Sequence, residues 1–410
     1  MKNLFLFLFA LHTSAVFSQT ESFETLFYKG KQEFQKDFDQ QNYDSAVYYL
    51  EKAVSLAPEN AEAHYFLAYA YSRKNSKDGN SMIYLSKELL FKASNELETT
   101  IKLSPKYESE LIVLDPYSKL TAEWGSLAIS YLYNNKPDSA IWAFREGKKR
   151  GGFSKMYLEL AKTALDFCEQ NAILISSGDN ITFPLAYLQT VENYRPDVDV
   201  ADIGLLNANW YPTFLQQKQN LDFGLPTSIL DTLQYCTWKD SLIQLQGKNQ
   251  IGFEWILKPS YYNSYLLRGD RILFNLFKQN NLNRSFYFTS SFPEESQVSL
   301  ADFFESHVVV ERVNFDNRNS PSLKEYLADL KKVIKSFKYM NTNCLEEEIH
   351  VDIIRYSVLN KINKLIELDK KEEANDLMNW LEKNLSLKKY PMKLESLPNY
   401  FDYIKGKIKL

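Results

Sequence analysis

Residues 173–211, ILISSGDNITFPLAYLQTVENYRPDVDVADIGLLNANWY, decide the expected fold. The apolar run 173–175 ends in Ser-Ser-Gly-Asp-Asn, a pattern typical of a buried strand followed by a turn. We expect a helix from about Thr182, with Pro184 in its first turn, where a missing N–H costs little. A second apolar run, 198–206, predicts another strand. The stretch therefore predicts a βαβ unit.

Polar and aromatic side chains follow both predicted strands at their carboxyl ends. Open α/β sheets place ligand sites at this edge. A carboxylate and amides there could hold a hydroxyl-rich or amine ligand, and aromatic faces beside amides suit sugar or peptide ligands. The candidate ligand-binding residues are therefore Asp179, Asn180, Thr182, Asn207, Trp210 and Tyr211.

Each of these candidates also has a structural interpretation. Asp179 and Asn180 could cap the predicted helix, since Asp and Asn side chains satisfy free N–H groups at helix starts. Asn207, Trp210 and Tyr211 could instead pack in a buried corner. The sequence leaves both interpretations open.

Three other groups of charged residues also have structural interpretations. Arg195 and Asp197 flank a proline at the opposite end of the unit, and we expect them to form a structural pair. The charged residues of 268–271 either join the site or begin a helix. The acidic run 346–348 is expected to be a solvated helix end, where the helix dipole favours acids.

The stretch resembles the soluble C-terminal part of protein O-mannosyltransferase-like glycosyltransferases, which are large bacterial multi-pass membrane proteins. In that family, GDND-T-[FY]-PLWY is followed by an acidic helix, R-x-DV and LLNT-x-WY. The similarity covers roughly residues 170 to 320, with a second similar block at 270–296. The matching residues of the first block are Gly178, Asp179, Asn180, Thr182, Phe183, Pro184, Leu185, Tyr187, Gln189, Val191, Glu192, Arg195, Asp197, Val198, Leu205, Leu206, Asn207, Trp210 and Tyr211.

This resemblance implies an α/β domain that serves protein glycosylation in the cell envelope. Two positions depart from the family pattern: Ile181 stands where the family usually has an acid, and Ala186 where it usually has tryptophan. The membrane part, which implies glycosyl transfer in that family, has no counterpart here. The resemblance therefore favours an accessory role over the transfer reaction itself.

The first 18 residues are expected to form a secretory signal. Lys2 supplies a basic start, 4–11 is an apolar core, and small residues precede a cleavage site before Gln19. The core is too short to span a bilayer, and no later run approaches about 18 apolar residues. We therefore expect a soluble mature chain without a membrane span, exported to the periplasm or cell surface.

Helical repeats are predicted between this signal and the βαβ unit. The clearest copy places Trp124, Ala128 and Ala140 at the large and small positions of a tetratricopeptide repeat. Two earlier copies are recognised, the second carrying an insertion at about 72–83. The predicted fold class is mixed α+β or α/β, with tetratricopeptide-like α-hairpins, a central α/β domain with the βαβ unit, and a C-terminal helical hairpin. The predicted domains after signal 1–18 are 19–168 (repeats), 169–320 (α/β) and 321–410 (C-terminal helices).

The remaining segments are less regular. Residues 212–269 are expected to be loops with short elements. Strands are predicted at 285–290 and within 303–313, centred on 308–310. Helices are predicted at 268–280, 322–339, 346–368, 371–384 and 400–410.

Composition limits the partners and cofactors. The net charge of −4 gives no reason to expect nucleic acid or an anionic membrane. Cys168, Cys236 and Cys344 are too far apart in sequence for a metal motif or a disulfide framework, and whether any two pair stays open. No phosphate-binding loop or other cofactor motif is present, so we expect no metal and no cofactor.

These observations favour a binding or scaffolding protein over an enzyme. The repeats are expected to bind a protein or peptide partner, and the strand-end site a saccharide. The alternative is an enzyme acting on a saccharide or glycosylated protein at the 178–211 cleft, with Asp179 as general acid or base. A single carboxylate weakens this alternative, because glycoside cleavage usually needs two.

Overall fold

The computed structural model describes residues 21–219, 221–247, 252–290, 293–315 and 321–409. The predicted signal, 1–18, lies outside the described residues. Tetratricopeptide-like helices form the N-terminal part, a mixed sheet the middle, and further helices the C-terminal part, as the sequence predicts.

Three consecutive helical hairpins and one additional helix form the repeat array. Their helices are α1 (Phe23–Gln35), α2 (Tyr43–Leu56), α3 (Ala61–Asn75), α4 (Lys87–Leu103), α5 (Pro116–Tyr133), α6 (Pro137–Lys149) and α7 (Lys155–Phe167). Ala128 and Ala140, the predicted small positions of the third hairpin, are completely buried. The predicted insertion lies between α3 and α4 and contains a 3₁₀ turn, Ser81–Tyr84.

The βαβ unit packs directly on this array. It comprises β1 (Ile173–Ser176), α8 (Asp179–Glu192) and β2 (Asp199–Asp202). A side chain at Gly125 of α5 would place its Cβ 2.3 Å from Cγ of Phe183 on α8. Glycine therefore permits the close approach that docks the α/β part against the repeats.

Two details of the βαβ unit differ from the prediction. The helix begins at Asp179, three residues before Thr182, so Pro184 lies in its second turn and removes the N–H that would bond the carbonyl of Asn180. The second strand ends at Asp202 and is followed by a 3₁₀ turn, Leu205–Asn207, because that Asp side chain accepts the N–H of Leu205 at 2.9 Å.

The central sheet has five strands in the order β2-β1-β7-β9-β8, completed by β7 (Phe286–Thr289), β8 (Phe304–Ser306) and β9 (Val310–Val313). β1 is parallel to both β2 and β7, whereas β7–β9 and β9–β8 are antiparallel. The prediction of a strand centred on 308–310 is wrong, because the chain turns there: Val308 has φ +68° and His307 N–H bonds the carbonyl of Val310 at 2.8 Å.

Residues 212–269 contain more regular structure than the sequence suggested. The elements from 211 to 280 are α9 (Tyr211–Gln219), α10 (Thr227–Leu230), β3 (Cys236–Thr237), β4 (Ser241–Gln246), β5 (Gly252–Leu257), β6 (Tyr265–Leu266) and α11 (Arg268–Asn280). β4 and β5 form an antiparallel pair, and alternate residues of β5 are buried. That alternation is the signal missed in the sequence.

The C-terminal part contains α12 (Leu323–Ile334), α13 (Leu345–Glu367), α14 (Lys371–Asn384) and α15 (Leu397–Lys409). Ser322 caps α12 and forms a capping box with Glu325, which confirms the predicted cap. The acidic run does begin a helix, but the expectation that it is solvated is wrong, because Glu347 is fully buried. Cys168, Cys236 and Cys344 are all free.

Candidate functional site

A polar cleft of about 530 Å³ lies where the carboxyl ends of β1 and β2 face the repeats. One wall is built by the insertion after α3 and by α5, and the other by the residues that follow the two strands. Of the six predicted ligand-binding residues, Asp179, Thr182 and Asn207 line this cleft. The strand-end edge therefore forms a real concavity, closed on one side by the repeat array.

Asp179 occupies the first position of α8. The preceding Gly178 has φ +91°, a conformation that favours glycine and turns the chain from β1 into the helix. The Asp179 side chain is exposed to the cleft and accepts no hydrogen bond from the residues that the structure describes. It therefore does not act as a side-chain cap, and its oxygens are available to a ligand.

The surroundings of Asp179 favour its protonated form. Protein on both sides of the cleft displaces bulk water, and this desolvation raises the pKa of Asp179 to about 6. The positive charges of Lys119 and Arg73 oppose the rise, whereas Asp202 and Glu123 reinforce it. This carboxyl group consequently titrates close to neutral pH.

Asp202 is a second carboxylate at the same edge, which the sequence analysis missed. Its Oδ2 accepts a hydrogen bond from Thr182 Oγ1 at 2.5 Å, and its Oδ1 accepts from Leu205 N at 2.9 Å. Burial raises the pKa of Asp202, while these hydrogen bonds oppose the rise. An acidic residue inside the apolar run 198–206 was the available signal.

The repeats contribute a further set of charges that no local motif indicated. Glu123 of α5 is buried and accepts from Ser72 Oγ at 2.5 Å and from Lys119 Nζ at 2.8 Å. Arg73, in the last turn of α3, and Lys77 of the insertion line the same wall. Across the parts of the chain that the structure describes, no group of three His, Cys, Asp or Glu residues could hold a metal ion.

Asn207, Trp210 and Tyr211 make structural contacts. Asn207 Oδ1 accepts from Gly269 N at 2.9 Å, near the start of α11. Trp210 is buried, and its indole N–H donates to the carbonyl of Gly79 at 2.8 Å, joining the α/β part to the insertion. The Tyr211 hydroxyl accepts the backbone N–H of Asp202 at 3.2 Å. The corner-packing interpretation fits the two aromatic residues, which do not line the cleft.

Asn180 faces a different space. Its Oδ1 is buried without a partner among the described residues and borders a void of about 20 Å³ between α7, α8, β7 and α13. Thr289 Oγ1 is equally unpartnered, and burial lowers the pKa of the neighbouring His350 to about 4. The void has room for roughly one water molecule. Asn180 is thus separated from the other candidates.

Arg195 and Asp197 form the predicted structural pair. Two guanidinium–carboxylate contacts measure 2.8 Å each, and they lower the pKa of Asp197 to about 2. Arg195 also donates to the carbonyl of Leu165 at 2.7 Å, which fixes the end of α7. The pair therefore anchors the unit at the end away from the cleft.

The charged residues of 268–271 begin α11 and do not join the cleft. The buried Arg268 guanidinium donates to the backbone carbonyls of Leu230 and Ala208, the first at 2.7 Å. Asp270 accepts from the Ser260 hydroxyl. Of the two interpretations left open by the sequence, the helix start describes them.

Comparison with known protein families identifies two parts of the chain. Residues 37–79 match the tetratricopeptide repeat, and residues 157–260 match a family described as TMEM260-associated domain 2. No curated protein matches the chain. Repeats of this type support a role in protein interaction or scaffolding. No helix within the described ranges is long and apolar enough to cross a membrane.

Proposed function

We propose that this chain is an exported scaffold whose repeats bind a protein or peptide partner and whose cleft binds a saccharide. The observation that carries this proposal is that the repeats and the strand ends share one cleft. A partner held by the repeats can therefore present an attached group to Asp179. The resemblance to protein O-mannosyltransferase-like glycosyltransferases supports a role accessory to envelope protein glycosylation.

The chemistry of the cleft suits a hydroxyl-rich ligand. Carboxylates accept hydrogen bonds from sugar hydroxyls, and ammonium and guanidinium groups donate to ring and hydroxyl oxygens. The lining includes both types of charged group and several hydroxyls: Arg73, Lys77, Lys119, Asp179, Ser72, Ser76, Ser126 and Ser177. Its volume lies within the range of about 300–1,000 Å³ that is usual for small-molecule sites.

Export and the domain division belong to the same proposal. Removal of residues 1–18 would leave the repeats (19–168), the α/β domain (169–320) and the C-terminal helices (321–410) in the periplasm or at the cell surface. N-terminal sequencing of protein recovered from cells is expected to begin at Gln19. Recovery of intact Met1 would contradict export by signal cleavage.

An enzyme acting on a saccharide or glycosylated protein is the second candidate. It is favoured by the raised pKa of Asp179, about 6, which suits a general acid. Asp202 supplies the second carboxylate, which the sequence analysis did not identify. However, Asp202 already accepts hydrogen bonds from Thr182 and from a backbone N–H, so it is less free to react.

Replacing Asp179 with Asn separates the two candidates, because it keeps the shape and removes the titrating proton. Asp138→Asn is the matched control, since Asp138 is exposed in the first turn of α6 and lies outside the cleft. Binding and turnover of envelope glycans and glycopeptides would be measured for the wild type and both variants. We expect binding without turnover, weakened by about 2–30-fold in Asp179→Asn and unchanged in Asp138→Asn.

Two results would contradict the proposal in different ways. Wild-type turnover that falls by about 100-fold or more in Asp179→Asn, with an unchanged melting temperature, would identify an enzyme. Absence of binding to every glycan and glycopeptide by the folded wild type would remove the saccharide from the proposed function and leave only the protein-interaction role.

A further inference from the structure

A second cleft of about 410 Å³ lies between the β8–β9 hairpin and α13. It shares no lining residue with the cleft at Asp179. Its walls carry hydroxyl, amide and ammonium groups, among them Ser306, Ser357, Asn360 and Lys361. The volume and the polar walls are those of a small-molecule site.

Lys361 is the central feature of this cleft. Its ammonium group is partly buried, yet no carboxylate of the described residues lies within 4.0 Å of Nζ. The ring of Tyr326 lies beside the ammonium group, 5.5 Å from Nζ to the ring centroid. Burial lowers the pKa of Lys361, because desolvation disfavours its charged form. An anion in the cleft would relieve this cost.

Lys364 and Glu305 also line this cleft. Lys364 Nζ donates to the carbonyl of Phe304 at 3.3 Å, and the side chain is exposed at the rim. The Glu305 carboxylate is paired with Arg312 at 3.1 Å and with Asn314 at 2.7 Å. Glu305 therefore shares its charge between Arg312 and the cleft, and it offsets the charge of Lys361 only in part.

Glu311 is the remaining carboxylate. Its Oε1 accepts from Ser306 Oγ at 3.0 Å, and burial raises its pKa to about 7, against the opposing charges of His307, Lys361 and Lys364. Near neutral pH it is only partly ionised, and so it offsets only part of the positive charge.

Neutral groups complete the set of donors. Asn360 Oδ1 accepts from the Tyr400 hydroxyl at 2.8 Å, which orients the amide so that its N–H groups remain to donate. Ser357 Oγ donates to the carbonyl of Val308 at 3.2 Å and keeps its lone pairs for a ligand hydroxyl.

We propose that this cleft binds a small hydroxylated organic anion, whose carboxylate or phosphate group lies against Lys361 Nζ. The neutral amide and hydroxyl groups of Asn360 and Ser357 would then contact the ligand hydroxyls. The site is independent of the cleft at Asp179 and does not rest on the function proposed for it.

Three probes of similar size test this assignment with the full chain. Glucuronate and glucose 6-phosphate carry the two anionic groups, and glucose carries neither. We expect calorimetric titration to detect one or both anions and no binding of glucose at this site. Which anion binds more tightly distinguishes a carboxylate ligand from a phosphate ligand.

Variants locate the binding. Lys361→Met should weaken anion binding by about 10-fold or more, because it removes a charge-assisted contact. Glu311→Gln keeps the acceptor for Ser306, removes a competing negative charge and should strengthen binding by about threefold. Lys371→Met, at an exposed lysine of α14, should change nothing.

The test is decisive because the two cleft variants should change the affinity for the anion in opposite directions. Absence of binding of both anions to the folded wild type would overturn the proposal, as would equal weakening by Lys361→Met and Lys371→Met. Weakening by Glu311→Gln would show that this carboxylate binds the ligand, which an anion site does not predict. If Lys361→Met fails to fold, the response of anion binding to Glu311→Gln decides whether the proposal holds. Lys361→Arg, which keeps the positive charge, should then retain binding.

Discussion

Asp115 and Asp179 both stand at the start of a helix, but the environments of their carboxylates differ. Asp115 caps α5 at the junction between the repeats and the C-terminal helices, and only 2% of its surface is exposed. Asp179 begins α8 at the junction between the repeats and the sheet, and its side chain is exposed to the cleft. Both junctions are thus built around an acid at a helix N-terminus, where the helix dipole favours negative charge.

The difference lies in their hydrogen bonds. Asp115 Oδ1 accepts from Tyr117 N at 2.9 Å and Ser118 N at 3.2 Å, and its Oδ2 accepts from Ser118 Oγ at 2.9 Å and Glu346 N at 3.2 Å. One carboxylate therefore caps both α5 and α13. Asp179 has no such partners among the described residues. The Asp115 carboxylate uses its hydrogen bonds to join two regions of the chain, whereas the Asp179 carboxylate remains available to bind a ligand.

Loss of the Asp115 carboxylate should produce the largest effect. Asp115→Ala leaves buried and part-buried N–H groups of two helices unpaired, and we expect a loss of about 2–4 kcal/mol in the free energy of unfolding. Asp115→Asn keeps an acceptor oxygen and should cost less. Urea denaturation of both variants, with Asp179→Ala for comparison, measures the difference. If Asp179→Ala destabilises the chain as much as Asp115→Ala, the distinction between the two junctions is wrong.

Trp210 tests how firmly the junction at the sheet is held. Trp210→Phe keeps an aromatic ring and removes the bond to the Gly79 carbonyl, which should cost about 1 kcal/mol and speed hydrogen exchange in the insertion. Trp142→Phe is the control, since its indole N–H makes no hydrogen bond within the described part of the chain. Equal exchange rates in the two variants would show that the Trp210 bond does not hold the insertion.

The smallest expected effect is the change in stability caused by titration of Asp179, which tests directly whether its carboxylate is desolvated. Carbon-13 NMR of the carboxyl groups should give a midpoint of about 6 for Asp179 and about 2 for Asp197. The folded pKa of Asp179 lies above its unfolded value of about 3.9, so the folded chain binds more protons between these values. Its contribution to stability is present below about pH 4 and is lost as pH rises through 6. A midpoint near 4 would contradict the inference that desolvation raises the pKa of Asp179.

The elements of this protein were largely predictable because they depend on neighbours in sequence. The spacing of Trp124, Ala128 and Ala140 predicted a hairpin, and Ser322 predicted the start of a helix. The β8–β9 turn was not predictable in this way. A run of valines favours a strand, yet Val308 adopts φ +68° because the surrounding hairpin and the Ser357 hydroxyl fix its backbone.

The candidate site was predictable only in part. The sequence alone determined that polar residues follow two parallel strands, and hence that Asp179 lies at a sheet edge. Only the tertiary structure decided that Glu123, Lys119 and Arg73 face it, that Asp202 joins it, and that Asn180 does not. The physical reason is the separation in sequence between the residues that interact. Strand and helix periodicity arise from residues a few positions apart, whereas the cleft arises from packing between segments distant in sequence, for which no local pattern exists.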